Sequence, residues 1–330
     1  MLSVRRRTNL LLFAGLLVLS VIAVFIGRYP RPGLLNPRLL TTDPLALMLV
    51  LELRIPRVVA AVLVGAALGA AGCVLQMLFA NPLVEPGLIG VSQGSAFGAA
   101  LAIVVLAPQP WVIQIFAALF GFGGLAISYT VARRLRFGGR ILRLVLSGIA
   151  VSALFSAGVG LVKFVADPLS ELPAITFWLL GGLAAIHWSQ LLQVGPVVVL
   201  AMLFILARRW RLNLLALDDR VSFSLGTAPE RERLGLLIAA TVGTASVISI
   251  AGIVGWVGLL VPHIARRLVG SDGRQVVPAS LALGALFTVV SDTVARTVVI
   301  GEIPLGIVTS LVGAAGFVAM LATSSVHVER

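Results

Sequence analysis

The amino-acid sequence predicts an all-α membrane protein of about ten transmembrane helices, some short or broken, forming one domain over 1–330. Three observations carry this. Hydrophobic residues fill 59% of the 330 positions and charged residues only 12%, where a soluble domain carries about 25% charged. Mean hydropathy is +1.08, more apolar surface than a core of this size can hide from water, so lipid is the solvent. The apolar residues come in runs near the roughly 20 that cross a bilayer, with arginine clusters between them.

The first run, 9–27, follows Arg5-Arg6-Arg7 and has the shape of a secretory signal. Arg28-Tyr29-Pro30 follows it in place of a small-x-small cleavage site, so it reads as an uncleaved span. The other runs are 56–79, 90–107, 112–132, 144–165, 189–207, 236–252, 256–268, 278–298 and 304–322. Pro82, Pro86 and Gly87 precede the third, and Gly252, Gly255, Gly258 and Pro262 break the eighth. Unwound backbone at membrane depth is tolerated only beside protein or a watered cavity, so these breaks are candidate pathway segments. The apolar stretch Leu172 to Gly182 is too short to span and reads as interfacial or re-entrant. Glycines at 65 and 69, 94 and 98, and 121, 123 and 124 place small residues on helix faces, where membrane helices approach closely.

With sides alternated from a cytoplasmic N-terminus, Arg28, Arg31, Arg38, Arg54, Arg57, Lys163 and Arg296 fall outside. The other 18 of the 25 basic residues fall inside. That asymmetry supports the orientation, with both termini in the cytoplasm. The longest inner polar interruption is about 208–235.

The net charge of +12 is a topology signal, because the arginines sit in short runs between spans; a nucleic-acid surface would gather them on one solvated face. Cys73 is the single cysteine, which excludes an intrachain disulfide and a cysteine-based metal site. No metal site is expected. Gly90-Val-Ser-Gln-Gly94 matches the nucleophile-elbow pattern, but that motif needs a strand–turn–helix and here opens a membrane helix. His187, His263 and His327 have no neighbouring acid. No catalytic residue is predicted. A Walker loop ends in Gly-Lys-Ser/Thr, and the only lysine, Lys163, lies between Val162 and Phe164. ATP, if used, is hydrolysed by another subunit. The rivals are a secondary transporter, which would need ionisable residues inside the spans, and a membrane hydrolase using Ser92. Asp292 is the acid placed least comfortably near a span end.

Leu214 to Gly226 alternates Leu214, Leu215, Leu217, Val221, Phe223 and Leu225 with Asp218, Asp219, Arg220, Ser222 and Ser224. It reads equally as a solvated connector or as a short helix that docks into a partner. Arg54 and Arg57 share a helix face at the outer end of the second span, and Arg296 lies at that of the ninth. They read as headgroup anchors or local pairs (Arg54 with Glu52, Arg296 with Asp292), or as a basic patch for an acidic soluble protein.

Several blocks resemble the FecCD family, the iron-chelate, haem and vitamin B12 permeases of ABC importers. They are Leu53-Arg-Ile-Pro-Arg57, Gln76, Asn81-Pro-Leu-Val-Glu-Pro-Gly-Leu-Ile-Gly-Val-Ser-Gln-Gly94 and Phe177-Trp-Leu-Leu-Gly-Gly182. Further blocks are Leu214 to Gly226, Val257-Gly-Leu-Leu-Val-Pro-His-Ile-Ala-Arg266, Asp292-Thr-Val-Ala-Arg296 and Glu302-Ile-Pro-Leu-Gly-Ile-Val-Thr309, in the family's order over roughly 45–320. The resemblance implies a vitamin B12 permease-like, type II importer fold in the bacterial inner membrane, surrounded by lipid and working as a homodimer. It implies two cytoplasmic ATPase subunits, which bind ATP and magnesium, and a periplasmic or lipid-anchored binding protein. This chain would hold no cofactor and bind no nucleic acid. The implied ATPase-coupling loop is Leu214, Leu217, Asp218, Asp219, Arg220, Leu225 and Gly226; the implied docking arginines are Arg54, Arg57 and Arg296. Candidate path residues are Ser92, Ser95, Ser147, Gly148, Ser152 and Ser156, each equally readable as helix packing. The expected cargo is a metal chelate, ferric siderophore first, with haem, cobalamin or an oxyanion as alternatives. The chain departs from the family at Gly252-Ile-Val-Gly-Trp256, at Leu217-Asp-Asp-Arg220 and at Gly313-Ala-Ala-Gly-Phe317.

Overall fold

A computed structural model describes residues 2–106, 109–299 and 301–323. Helix α1 (Leu2–Phe25) ends in a short antiparallel hairpin, β1 (Ile26–Gly27) against β2 (Gly33–Leu34). Two short helices follow, α2 (Leu39–Thr42) and α3 (Pro44–Met48), and Asp43 caps α3 by accepting the Leu45 N–H at 3.0 Å. A wide π turn, Leu49–Arg54, runs on into α4 (Ile55–Leu78). Then come α5 (Val91–Leu101), α6 (Pro110–Arg134), α7 (Arg140–Val165), α8 (Glu171–Leu180), α9 (Trp188–Leu215) and α10 (Asp219–Ser224). The chain closes with α11 (Pro229–Ala251), α12 (Val257–Val269), α13 (Gly273–Thr297) and α14 (Leu305–Thr323).

Among the described residues, seven stretches are long and apolar enough to cross a bilayer: in α1, α6, α7, α9, α11 and α13, and in the continuous run Pro44–Leu78. The third, eighth and tenth predicted spans are shorter helices, α5 with its π turn to Leu106, α12 and α14. The short apolar segment predicted at 172–182 is the ten-residue α8. Two boundaries move. The second run starts at Pro44, not 56, and its 35 residues rise about 52 Å, well beyond the roughly 30 Å of hydrocarbon. The connector predicted over 208–235 shrinks to 216–228, because α9 and α11 both continue into the charged region. Arg208 and Arg211 on α9 both pair with Glu232 on α11, so these charges extend the helices instead of ending them. Pro229 in the first turn of α11, with Glu230 and Glu232 behind it, suits a helix start.

Glycine sets the spacing of the central helices. A Cβ on Gly65 of α4 would fall on the carbonyl of Gly284 on α13, and one on Gly284 on the carbonyl of Gly65. Gly94 and Gly98 of α5 meet the Phe120 and Phe116 carbonyls of α6 in the same way, and Gly124 meets Gly90. Gly123, predicted with them, faces open space. The backbones therefore touch, which is how membrane helices gain packing energy where lipid offers no hydrophobic drive. The result is radial: 83% of the α4 run's apolar window is buried inside the chain, against 17% for α1. Leu10, Leu11 and Leu17 of α1 are left on the outside.

Helix α13 fixes the two ends of the bundle. Asp272 at its start accepts from Asn213 at the end of α9, 2.7 Å, beside α10. Its 25 residues rise about 37 Å to Asp292 and Arg296, at the end where α4 begins.

Candidate functional site

Both predicted breaks are present and face each other, but the second is shorter than expected: Gly252 and Gly255 lie in it, whereas Gly258 and Pro262 are inside the continuous helix α12. Between α4 and α5 the chain is irregular from 79 to 90 apart from the turn Pro86–Ile89, and Gly90 enters α5 with φ +87°. Between α11 and α12, residues 252–256 are unwound. The end of α8 and the start of α14 close on this second break. Gly182 donates its N–H to the Ala251 carbonyl at 2.8 Å. Gly181 and Gly252 have φ of +68° and +67°, a region that only glycine enters without strain. A Cβ on either would also strike backbone, the Ile253 carbonyl or the Trp178 carbonyl respectively. Gly306 abuts the Leu180 carbonyl in the same place.

This constriction separates cavities. On the side of Arg57 and Glu302 lies one of 520 Å³, lined also by Phe177, Trp178 and Pro304. On the other side lies a second of 520 Å³, lined by Glu85, Leu180, Trp256, Ile307 and Ser310. It shares Glu85, Ile253 and Gly255 with a third cavity of 340 Å³, which Ser92, Gln93, Ser152 and Gly258 also line.

Of the six predicted path residues, the structure brings Ser92 and Ser152 to a cavity. Ser152 donates to the Gly87 carbonyl at 3.3 Å, tying α7 to the first break. Ser95 is fully buried against Gly121. Ser147 is buried and donates to the Arg143 carbonyl at 2.7 Å, and Gly148 packs on the Leu88 carbonyl. Ser156 lies exposed on α7 and lines neither inner cavity. Being small and polar does not separate a pore wall from a packed seam. Sequence reasoning passed over Glu85 and Trp256. An acid flanked by proline in a break between two spans was the available signal for Glu85. Trp256 has φ +72°, unusual for a bulky residue and a mark of functional sites. Its ring packs on Phe317 with centroids 6.0 Å apart, and Gly313 abuts its Cβ, so two of the departures from the family pattern meet in one contact.

The expected basic patch is corrected. Arg54 is 9% exposed and donates to the carbonyls of Val24, Phe25 and Tyr29. Arg296 is 7% exposed and donates to the Ala23 carbonyl. Both close the last turn of α1, whose free carbonyls and negative dipole end attract cations. Arg28 donates to the Thr297 carbonyl at the end of α13, 3.0 Å. Arg57 bonds Asp292 on α13 and Glu302 beyond it, both at 2.9 Å. Arg296 also lies 3.7 Å from Asp292 within α13, the pair anticipated from the i, i+4 spacing. Buried helix ends and a buried carboxylate draw these charges inward, where solvated arginines were expected.

At the opposite end, α10 is a single helical segment within Leu214 to Gly226, with Leu214 itself on α9. The Asp218 side chain caps it, accepting from the Arg220 N–H at 2.9 Å. Gly226 ends it with φ +80°. Ser222 is buried and donates to the Leu214 carbonyl at 2.6 Å. Arg233 of α11 holds Asp219 at 2.6 Å and the Leu215 carbonyl at 3.1 Å. Leu217, Val221, Phe223 and Leu225 are left exposed. An apolar surface on an anchored helix outside the core suits a partner groove.

A family model, the FecCD transport family, matches residues 12–323. The molybdate import system permease protein MolB of Haemophilus influenzae is 38% identical over 309 residues, covering 91% of this chain and 90% of that protein. The hemin transport system permease protein HmuU of Yersinia pestis is 36% identical over 267 residues, covering 80% of each. A solved structure described as an inward-facing metal-chelate type ABC transporter aligns with a TM-score of 0.88 at 36% identity, over 96% of this chain and 99% of that one. PsaBC from Streptococcus pneumoniae aligns with a TM-score of 0.57 at 16% identity, a likeness of fold.

Proposed function

This chain belongs to the FecCD transport family and is the permease subunit of an ABC importer, and from that premise we propose that it carries a metal chelate, a ferric siderophore before haem, cobalamin or an oxyanion. The observation that carries the proposal is the pair of facing helix breaks, with three cavities strung along the unwound segment 252–256. Iron chelate, haem and citrate-iron permeases among its relatives support the cargo class.

The permease makes no bonds. It offers a path that opens to one side at a time, and ATP binding in the partner ATPases shifts the populations of those states. Two copies of the chain would enclose the path. In this reading the arginine-rich α10 end faces the cytoplasm of a bacterial inner membrane, with both termini on that side. Leu217, Val221, Phe223 and Leu225 then seat in the ATPase, held in place by Asp218, Asp219, Arg220 and Gly226. ATP and magnesium stay with those partners. A binding protein docks at the opposite end. Arg57 remains a rim residue there through Glu302, whereas Arg54 and Arg296 support the docking surface from beneath. Arg31 and Arg38, exposed in the segment that precedes Arg54, take the acidic partner's charge.

The test is uptake into proteoliposomes holding the permease, its ATPase and its binding protein, with labelled ferric siderophore. Uptake that requires ATP is expected. Uptake driven by a proton gradient without ATPase would overturn the reading in favour of a secondary transporter.

A further inference from the structure

Among the described residues, Glu85 is the one titratable side chain lining either of the two inner cavities, and it lines both. Among the described residues its carboxylate has no ion pair and no hydrogen bond; the backbone carbonyl alone is engaged, by the Leu88 N–H at 3.1 Å. Its Oε1 lies over Gly87, whose carbonyl takes the Ser152 hydroxyl. The carboxylate thus sits where the first break meets α7 and the second break. Every other buried or half-buried acid described above is paired: Asp292 with Arg57, Glu232 with Arg208 and Arg211, Asp272 with Asn213. An unpaired acid inside a membrane protein is costly and marks a watered path or a ligand contact. Among the described residues, no arginine, lysine or histidine lines these two cavities to balance it.

We propose that Glu85 is the charge filter of the path, a carboxylate facing both inner cavities that accepts neutral and cationic chelates and turns back free oxyanions. This rests on the permease reading and sharpens it. A chelate that presents hydroxyl, amide N–H or ammonium groups gives the carboxylate donors to accept, and charge-assisted bonds of that kind are the strong ones. An oxyanion meets like charge with no cation to offset it. The filter therefore separates this chain's cargo from that of its molybdate-importing relative and, within the chelates that its other relatives carry, favours hydroxamate types over carboxylate-bearing ones.

The test needs no cargo. In the complex of permease and ATPase in lipid nanodiscs, the buried Cys73 is removed (Cys73→Ala), and Ser152→Cys reports on the inner cavity. The thiol is reacted with a cationic methanethiosulfonate bearing trimethylammonium and with an anionic one bearing sulfonate, with and without ATP. The ratio of the two rates is divided by the same ratio for a free thiol. With Glu85 present the cationic reagent is expected to lead by about tenfold, and Glu85→Gln, which keeps the shape, returns the ratio to within about twofold of the free thiol. Glu85→Asp restores the preference, and Ser92→Cys serves as a second reporter should Ser152→Cys assemble poorly. Equal ratios with Glu85 and Gln would overturn the proposal. So would a thiol unreactive to both reagents in both nucleotide states at both positions. ATP-dependent uptake is measured separately, so failure of the permease reading and failure of the filter give different patterns.

Discussion

The guanidinium of Arg57 on α4 closes on the carboxylate of Asp292 on α13, Nε to Oδ1 2.9 Å, with the two side chains 12% and 1% exposed. It locks the open end of the glycine seam between those helices. The same guanidinium reaches Glu302, whose side chain is 40% exposed, so one arginine joins a buried pair to a solvated one. Removing one partner of a buried pair strands the other charge, at about 3–5 kcal/mol, whereas a surface pair contributes about 0–1 kcal/mol. Asp292→Ala should therefore lower thermal stability in detergent far more than Glu302→Ala. Equal shifts would mean that Arg57 is wetted and the lock is absent.

Arg54→Glu is expected to disrupt the end of α1 first, because three carbonyls lose their donor, and should show as a lower unfolding temperature. Arg31→Glu with Arg38→Glu should leave that temperature unchanged, weaken docking of the binding protein and flatten the dependence of the remaining affinity on salt. A salt series in which this double variant matches wild type removes docking from that surface.

On α10, Asp218→Lys with Leu225→Asp takes away the cap and puts charge on the apolar surface. The complex should still hydrolyse ATP, but stimulation by loaded binding protein should disappear. Arg233→Ala should act in the same direction while leaving the apolar surface intact, because the Leu215 carbonyl and Asp219 lose their shared tether. Full stimulation in both variants would place coupling elsewhere.

At the constriction, Gly252→Ala puts a Cβ where φ is +67° and where the Trp178 carbonyl already sits. With ψ at −161° this is backbone that essentially glycine alone adopts, and a side chain there costs roughly 1–3 kcal/mol. Transport should fall several-fold at an unchanged rate of basal ATP hydrolysis, as measured by uptake per ATP. Gly123→Ala, which faces open space on α6, is the control and should transport normally.

Asp272 gives an acid-side signature. Burial alone would raise its pKa, but the Asn213 bond, the Arg274 N–H and the charges of Arg274 and Arg5 outweigh it and hold the carboxyl below its usual range. A carboxyl depressed in the folded state contributes stability that is complete above the unfolded value, about 3.9, and is lost as pH falls through the folded value. The stability gap between wild type and Asp272→Asn should be constant from about pH 5 to 8 and close below about pH 4. A gap that grows on acidification would reverse the sign of this account.

Composition, run length and arginine bias by themselves determined the class of this protein. Lipid as solvent forces helices, and the roughly 20-residue run is a length that any sequence reader can count. The two breaks were legible for a local reason, the clustering of proline and glycine; a single proline was not enough, since Pro196, Pro262 and Pro278 all lie inside continuous helices. The amphipathic stretch at α10 was legible because its period lies within one segment. Tertiary structure alone decided what each polar residue does. Arg54, Arg57 and Arg296 look alike in sequence, yet two close the end of α1 and one locks α4 to α13. Those partners lie 29 to 30 residues away for Arg54, 273 for Arg296 and 235 for Arg57. Ser152 lines a cavity while Ser147, five positions earlier on the same helix, is packed away, because the neighbouring turn Pro86–Ile89 selects which face of α7 stays open. Glu85 was in plain view within a quoted motif. Its meaning came from what surrounds it in space: two cavities, two helix breaks and, among the described residues lining those cavities, no cation.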